Sequence, residues 1–225
     1  MDDNNNCPGC DVCTNAACVA DNSNCPGAQC HCTVQSGDCG GKQCDSPIVL
    51  DPFNQGFHLT SVQNGVKFRL EPGGPLYQMS WTDPAWGNGW LALDRNGNGK
   101  IDDLTELFGN LTPQPPSDDP NGFLALAVFD NPSNGGNGNG FIDPGDAVYT
   151  HLRVWIDANH NGISEPNELH TLQDLGIFKI GLAYTDTPFV DQHGNQFLYQ
   201  GSFWDEGGHD REACYDVFLQ VRPNK

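Results

Sequence analysis

Three segments between residues 94 and 168 repeat one short pattern of aspartate, asparagine and glycine. The clearest copy begins at Asp157, places oxygen-bearing side chains at alternate positions, turns at Gly162 and ends at Glu168. Alternate side chains of such a turn point to one side, and glycine permits the sharp bend that gathers them. A fold for this chain must therefore accommodate three compact turns that collect oxygen atoms, and this requirement limits the choice of fold more than any other feature.

The spacing of residues 157–168 fits the EF-hand calcium loop at every specified position. Calcium is a hard cation that prefers about six to eight oxygen ligands, so side-chain oxygens, the Ile163 carbonyl and both carboxylate oxygens of Glu168 could complete a shell. The predicted calcium ligands of this segment, loop three, are Asp157, Asn159, Asn161, Ile163, Glu165 and Glu168.

Two further copies depart from the pattern. In loop one, residues 94–106, Thr105 stands where the last acid is expected, so either Glu106 still reaches or Asp102 takes over. In loop two, residues 130–146, an insert rich in asparagine and glycine requires Asp130 to fold back as the first ligand. The predicted ligands are Asp94, Asn96, Asn98, Lys100, Asp102 and Glu106 in loop one, and Asp130, Asn137, Asn139, Phe141, Asp143 and Asp146 in loop two.

A metal-free interpretation of these loops stays open, because asparagine–glycine steps form turns without any ion and Asp143-Pro144 could simply begin a helix. Three copies, each followed by a predicted helix, favour calcium. The abundance of asparagine lowers the ligand charge, so we expect micromolar-to-millimolar affinity, falling in the order loop three, loop one, loop two.

Apolar spacing around the loops predicts an α+β fold, with short strands flanking a helical EF-hand-like calcium-binding centre. The predicted helices cover residues 104–108, 122–129, 144–155 and 166–175. Predicted strands precede residue 94 and follow residue 178. Composition divides the chain into a cysteine-rich segment, residues 1–45, and a calcium-binding α+β domain, residues 46–225.

Cysteine is concentrated in the first segment, which has almost no aliphatic residues with which to build a core. Such density is typical of secreted or cell-surface proteins, where disulfides replace a core. Nine of the ten cysteines lie there, an odd number, so we expect one long-range disulfide to Cys214. The predicted disulfide-forming residues are Cys7, Cys10, Cys13, Cys18, Cys25, Cys30, Cys32, Cys39, Cys44 and Cys214.

The formal net charge of -19, with 29 acidic residues against 10 lysines and arginines, opposes binding to nucleic acid and to anionic membranes. It favours calcium ions as partners. No apolar run approaches the length of a membrane span.

Residues 93–102 with Glu106–Gly109, and residues 152–155 leading into loop three, resemble the calcium-binding segments of large secreted bacterial proteins of the RTX (hemolysin-type) group. The resemblance covers roughly residues 47–185. It implies secretion, calcium ligation by the three loops, and association with surface or toxin-like proteins. The nonapeptide repeats of RTX β-rolls are absent, so it implies no toxin activity.

These observations predict a non-catalytic extracellular module in which calcium orders the loops and the adjoining helices. Its expected partners are calcium ions and either another extracellular protein or further copies of itself. Two alternatives remain: a calcium-stabilised fragment of a secreted enzyme or toxin, and a self-assembling surface or filament subunit. No nucleophile–base pair stands out in the sequence to favour an enzyme.

Overall fold

The structure is a computed structural model that describes residues 46–223 of the chain. Within this range the protein is mostly β-sheet, with a single short α-helix. The strands are β1 (Ile48–Leu50), β2 (Val66–Arg69), β3 (Leu76–Met79), β4 (Gly89–Leu93), β5 (Phe141–Ile142), β6 (Leu152–Trp155), β7 (Leu169–His170), β8 (Ile177–Val190), β9 (Gln196–Asp205), β10 (Asp210–Phe218) and β11 (Val221–Pro223). The helix α1 spans Gly122–Ala127, and short 3-10 helices span Val62–Asn64, Leu104–Glu106, Pro132–Asn134 and Gln173–Leu175.

The strands form two antiparallel sheets. The large sheet has eight strands in the order β5-β8-β9-β10-β1-β4-β6-β7, and the small sheet has three in the order β11-β3-β2. Strand β1 lies in the middle of the large sheet, where it pairs with β10 on one side and β4 on the other. All of these neighbouring strands run antiparallel.

The large sheet is the middle layer of the domain, because alternate residues of its central strands enter two different apolar cores. Val49 of β1 packs into a core shared with the small sheet, whereas Ile48 and Leu50 pack into a core shared with α1. In β4, Trp90 packs into the core shared with the small sheet and Leu91 packs into the core shared with α1. Successive side chains of a strand point to opposite faces, so a strand covered on both sides must be apolar throughout. The uninterrupted apolar sequence of β1 follows from this position.

The helix α1 is fixed to the large sheet by its first residues. The Asn121 side chain accepts a hydrogen bond from Leu124 N at 3.0 Å, as helix N-caps do. The Asp216 carboxylate of β10 accepts one from Gly122 N at 2.5 Å. Phe123 then buries its ring in the core beneath. The helix therefore covers one face of the central strands.

The predicted α+β class with a helical centre was wrong. Residues 144–155, predicted as a helix, form a series of turns followed by β6. Leu152–Trp155 pairs along its whole length with β4, and this long-range pairing outweighs the helical spacing of Val148, Leu152 and Trp155. Residues 166–175, also predicted as a helix, contain β7 and one 3-10 turn. Residues 104–108 contain only the 3-10 turn Leu104–Glu106, whereas α1 lies within the predicted helix 122–129.

The predicted EF-hand arrangement was wrong for the same reason, since no loop lies between two α-helices in the part of the chain that the structure describes. Loop one follows β4 and ends in a 3-10 turn, and loop three connects β6 to β7. The sequence of loop three matches the EF-hand pattern and those of loops one and two resemble it, but all three loops are attached to β-strands and 3-10 turns.

The predicted disulfide at Cys214 was also wrong. Cys214 is a free thiol in β10, fully buried in the core beneath α1. A side chain at Gly201 on β9 would come within 3.2 Å of the Cys214 sulfur, so the thiol is closely packed. The other nine cysteines, and with them the predicted segment 1–45, lie outside the described residues.

Candidate functional site in three acidic loops

The first acid of each loop holds the turn together by accepting hydrogen bonds from backbone N–H groups. In loop one, Asp94 Oδ1 accepts from Gly97 N at 2.8 Å and from Asn98 N at 3.2 Å. Its Oδ2 accepts from Gly99 N at 2.8 Å. In loop three, Asp157 Oδ1 accepts from Asn161 N at 3.0 Å and its Oδ2 accepts from Gly162 N at 2.9 Å. Each carboxylate thereby organises a turn that the backbone alone would leave open.

Loop two reaches the same arrangement from a more distant acid. Asp130 Oδ1 accepts from Gly138 N at 2.8 Å and from Asn139 N at 3.1 Å, and its Oδ2 accepts from Gly140 N at 2.9 Å. The chain between them passes directly over Asp130, since a Cβ at Gly136 would lie 2.1 Å from the Asp130 carbonyl carbon. The structure thus places Asp130 in the first-acid role, with the insert folded over it.

The fourth and sixth positions of each loop require left-handed backbone. Gly99, Gly140 and Gly162 occupy the sixth position with φ of 82°, 82° and 69°. At the fourth position of loop three His160 takes φ of 57°, a conformation that is uncommon for a residue with a side chain. Its Nε2 lies 2.7 Å from the Asn64 carbonyl, which ties loop three to the residues before β2.

The last acid closes each loop from the opposite side. Glu106 Oε1 accepts from Arg95 N at 3.1 Å and its Oε2 from Asp102 N at 2.8 Å. Glu168 makes the equivalent bonds in loop three, to Ala158 N at 3.0 Å and Glu165 N at 3.4 Å. Glu106 therefore occupies the same role although it stands one residue later in its loop.

Loop two closes with a shorter acid in the same place. Asp146 accepts from Asn137 N at 3.0 Å through Oδ1 and from Asp143 N at 2.7 Å through Oδ2. All three loops therefore share one set of contacts: a first and a last acid, each bound to backbone N–H groups of the same turn.

The closing acids are buried, which is costly for a carboxylate without a cation. Glu106 and Glu168 are each 1% exposed and Asp146 is 3% exposed. Burial raises the pKa of the Glu106 carboxyl, although hydrogen bonds from backbone N–H groups oppose the shift. Burial also raises the pKa of Glu168, and a hydrogen bond shared with Glu165 adds to it. The Glu165 pKa is lowered, first by the Asn161 amide and then by Glu168.

Across each loop, an asparagine amide donates to a carboxylate four residues later. Asn98 Nδ2 lies 2.5 Å from Asp102, Asn139 Nδ2 lies 2.7 Å from Asp143, and Asn161 Nδ2 lies 2.9 Å from Glu165. The side-chain oxygens of these asparagines accept hydrogen bonds from the backbone N–H groups two residues later. The predicted ligands at the fifth and ninth positions are thus brought together, but through amide–carboxylate hydrogen bonds.

The structure does not show the predicted metal centre itself. Within residues 46–223, no three histidine, cysteine, aspartate or glutamate side chains converge as a group that could hold a metal ion. The predicted backbone ligands are also partly engaged, since the Ile163 carbonyl accepts from Glu165 N at 3.0 Å and Phe141 belongs to β5. Lys100 lies exposed in loop one.

Ser164, which the sequence interpretation did not single out, joins loops one and three. Its hydroxyl accepts from Ile101 N at 2.8 Å and donates to the Ile101 carbonyl at 3.2 Å. Both residues stand at the eighth position of their loops, where Ile142 stands in loop two. A serine at a position otherwise occupied by isoleucine was the signal in the sequence that could have identified this contact.

Arg95, likewise not predicted, belongs to loop one and packs against the rings of Phe108 and Phe129. Its Nε donates to the Thr105 carbonyl at 2.8 Å, and its guanidinium lies 4.9 Å from the Phe108 ring centroid and 5.7 Å from that of Phe129. Phe129 immediately precedes Asp130, the first acid of loop two. Burial lowers the pKa of Arg95, and the charge of Glu106 opposes this shift. Ser164 thus joins loops one and three, and Arg95 packs loop one against Phe129, the residue before loop two.

Comparison with known proteins identifies relatives of this chain. A model of the family described as the SPM domain matches residues 48–220. The Iron-regulated protein FrpA of Neisseria meningitidis serogroup C is 37% identical over 160 residues, which is 70% of this chain and 14% of that protein. The chain therefore spans only a small part of that relative.

The predicted assignment to a group of EF-hand-like, RTX-type calcium-binding proteins was wrong. The family that matches is the SPM domain, over nearly all of the described residues. Its fold here is mostly β-sheet and does not have the helix–loop–helix units that the resemblance implied.

Proposed function

This chain belongs to the SPM domain family, and we propose that it is a non-catalytic, calcium-ordered module of a larger exported protein. The observation that carries the proposal is the threefold repetition of one loop geometry, in which a first and a last carboxylate are bound to backbone N–H groups of the same turn. Carboxylate, amide and carbonyl oxygens are the ligands that calcium prefers.

The charge of the loops supports a cation. Each loop contains three carboxylates among its predicted ligands, and the closing one is buried: Asp94, Asp102 and Glu106 in loop one, Asp130, Asp143 and Asp146 in loop two, and Asp157, Glu165 and Glu168 in loop three. Among the described residues no lysine or arginine forms an ion pair with any of these nine. The charge of Arg95 lies near Glu106 in loop one, but burying a carboxylate is still destabilising, and a divalent cation would offset that cost.

Calcium binding would require a local change in each loop. The amide–carboxylate hydrogen bonds, such as Asn98 to Asp102, direct an N–H group where an oxygen ligand is needed. An ion would replace these bonds, because both the asparagine oxygen and the carboxylate are hard ligands. The three-carboxylate, asparagine-rich composition suits the millimolar calcium found outside cells, which supports an exported protein.

Calorimetric titration of the full chain with calcium tests the proposal. We expect loop three to bind most tightly, followed by loop one and loop two, because loop two must also order its insert. Replacing Glu168 with Gln removes the bidentate carboxylate and should abolish the tightest step. Replacing Glu106 with Gln should leave that step intact and weaken the next.

The matched control is Glu206→Gln, the same substitution at an exposed residue between β9 and β10. It should leave all binding steps unchanged. If Glu168→Gln also leaves the tightest step unchanged, the ligand assignment of loop three fails. If the wild-type chain takes up no calcium at millimolar concentration, the proposed function fails.

A further inference from the structure

The outer face of the small sheet concentrates positive charge in an acidic protein. Val66 and Phe68 of β2 point into the core, so Lys67 and Arg69 point to the opposite face. Only eight lysines and arginines lie within residues 46–223: Lys67, Arg69, Arg95, Lys100, Arg153, Lys179, Arg211 and Arg222. Three of the eight, Lys67, Arg69 and Lys100, border one cleft.

This cleft, of about 310 Å³, lies between β2 and loops one and three. Loop one contributes Lys100, Ile101 and Asp102, and loop three contributes the residues from Asn161 to Ser164. The Ser164–Ile101 hydrogen bonds hold the two loops together at this point. The volume is at the lower end of the range for small-ligand sites, so the cleft suits a small molecule or a chain end.

The cations around the cleft are available to a ligand. Lys67 and Lys100 are exposed, and neither forms an ion pair within the described residues. The Arg69 Nε donates to the Gly74 carbonyl at 3.1 Å, which holds the guanidinium in place. The cleft also contains one carboxylate, Asp102, whose Oδ2 accepts the Asn98 amide. Three cationic residues therefore line the cleft together with one carboxylate that is already hydrogen-bonded.

Exposed apolar side chains form another part of the cleft wall. Leu76 is 38% exposed and Ile163 is 56% exposed. An apolar surface beside three cations is complementary to a carboxylate joined to an apolar group. We propose that the cleft bounded by Lys67, Arg69 and Lys100 binds small ligands in which a carboxylate is attached to an apolar body.

Calcium should strengthen this binding, a statement that rests on the proposed function of the loops. Four residues, Lys100, Asp102, Asn161 and Ile163, belong both to the cleft and to the predicted calcium ligands. An ion in loop one would engage Asp102 and remove its repulsion of an anion. Coupling between two sites is reciprocal, so a bound carboxylate should raise calcium affinity by the same factor.

Benzoate is a suitable probe because it combines a carboxylate with an apolar ring. Benzamide, which has the same shape without the charge, is the matched ligand control. In NMR titrations of the full chain, benzoate should shift the amide signals of residues 67–69, 100–102 and 161–164. Benzamide should bind at least tenfold more weakly.

Two exposed lysines allow a test that does not endanger the fold. The double variant Lys67→Gln and Lys100→Gln should weaken benzoate binding at least tenfold. Arg153→Gln removes one positive charge away from the cleft, where the Arg153 Nη1 group donates to the carbonyls of Thr150 and Leu152. It should change benzoate binding less than twofold.

The outcomes separate the cleft from the loops. Benzoate that fails to bind, or binds equally well to the double variant, overturns the cleft even if calcium binds normally. If benzoate binds and calcium does not, the cleft is supported and the proposed function of the loops fails. Benzoate affinity that is identical in calcium and in EDTA overturns the coupling.

The natural ligand could be a free carboxylate or the C-terminal end of a peptide, which share this chemistry. A short peptide ending in phenylalanine, compared with its C-terminally amidated form, distinguishes them. Tighter binding of the free-acid peptide than of benzoate identifies a chain end, whereas exclusion of the peptide identifies a free molecule.

Discussion

The three loops and the three long strands β8, β9 and β10 are ordered by different interactions. In the loops, carboxylates accept hydrogen bonds from backbone N–H groups that no strand or helix pairs. In β8–β10, long backbone pairing, interrupted by a few register shifts, is reinforced by rings, such as Phe189 stacked on Phe197 at 4.5 Å and Tyr215 edge-on to Phe197 at 5.5 Å. The first region depends on charged hydrogen-bond acceptors, whereas the second depends on packing.

The largest expected effect is on packing. Phe203 of β9 is 2% exposed in the core beneath α1. Phe203→Ala should lower the free energy of unfolding by about 3–5 kcal/mol, because it removes a buried ring and leaves a cavity. Urea denaturation should give the same loss in calcium and in EDTA. Phe178→Ala on β8, where the side chain is 43% exposed, is the control with a small effect. A loss that depends on calcium would mean that the two regions are not independent.

The next effect in size is that of calcium itself. A ligand at a hundredfold excess over its dissociation constant stabilises the folded state by about 2.7 kcal/mol. For a domain of this length the melting temperature should rise by roughly 5–10 °C. Magnesium should substitute poorly, since it demands a tighter octahedral shell. An identical melting temperature in calcium and EDTA would mean that the loops are hydrogen-bonded turns that do not bind calcium.

A smaller effect should follow from separating loops one and three. Ser164→Ala leaves the buried N–H of Ile101 without its partner, which should cost about 2 kcal/mol. Ser133→Ala, in the exposed insert of loop two, should change stability by less than about 0.5 kcal/mol. Chemical denaturation of both variants measures the difference. Equal stability of the two would show that the Ser164 contact contributes nothing.

The smallest effect concerns Cys214. Cys214→Ala should cost about 1 kcal/mol, the usual loss for a modest change in a core, whereas loss of a native disulfide costs about 2–5 kcal/mol. Burial raises the pKa of the Cys214 thiol, so iodoacetamide should not modify it in the folded protein. Peptide mapping after alkylation, in native buffer and in urea, checks this. A native Cys214 peptide linked to another cysteine would restore the predicted bridge.

The geometry of the turns could be predicted from the sequence because it depends on residues that lie close together in the chain. Asp157, Gly162 and Glu168 lie within a dozen positions, and their spacing alone places the two acids on a common turn. For loop one the sequence left open whether Glu106 or Asp102 closes the loop, and for loop two it required Asp130 to fold back; the structure places Glu106 and Asp130 at these turns as acceptors of backbone hydrogen bonds. Whether these loops hold calcium stays a prediction.

The fold class was not accessible because it depends on long-range pairing. Leu152–Trp155 has a spacing compatible with a helix, and only its pairing with Trp90–Leu93 makes it a strand. Short apolar runs are ambiguous in this way, since periodicity does not distinguish a buried strand from a buried helical turn. The Ser164–Ile101 contact spans 63 positions, so local patterns could not predict it either.

The central position of β1 has a consequence for how the domain folds. Leu50 pairs with Cys214, a partner 164 positions later, and Val49 pairs with Trp90 on the other side. The middle of the large sheet therefore cannot close until the segment 210–218 has been synthesised and has returned to β1. Closing so long a loop costs entropy before any pairing repays it, and folds dominated by such contacts form slowly. We therefore expect the folding rate to be limited by the pairing of β1 with β10, and rapid local formation of the loops would not increase it.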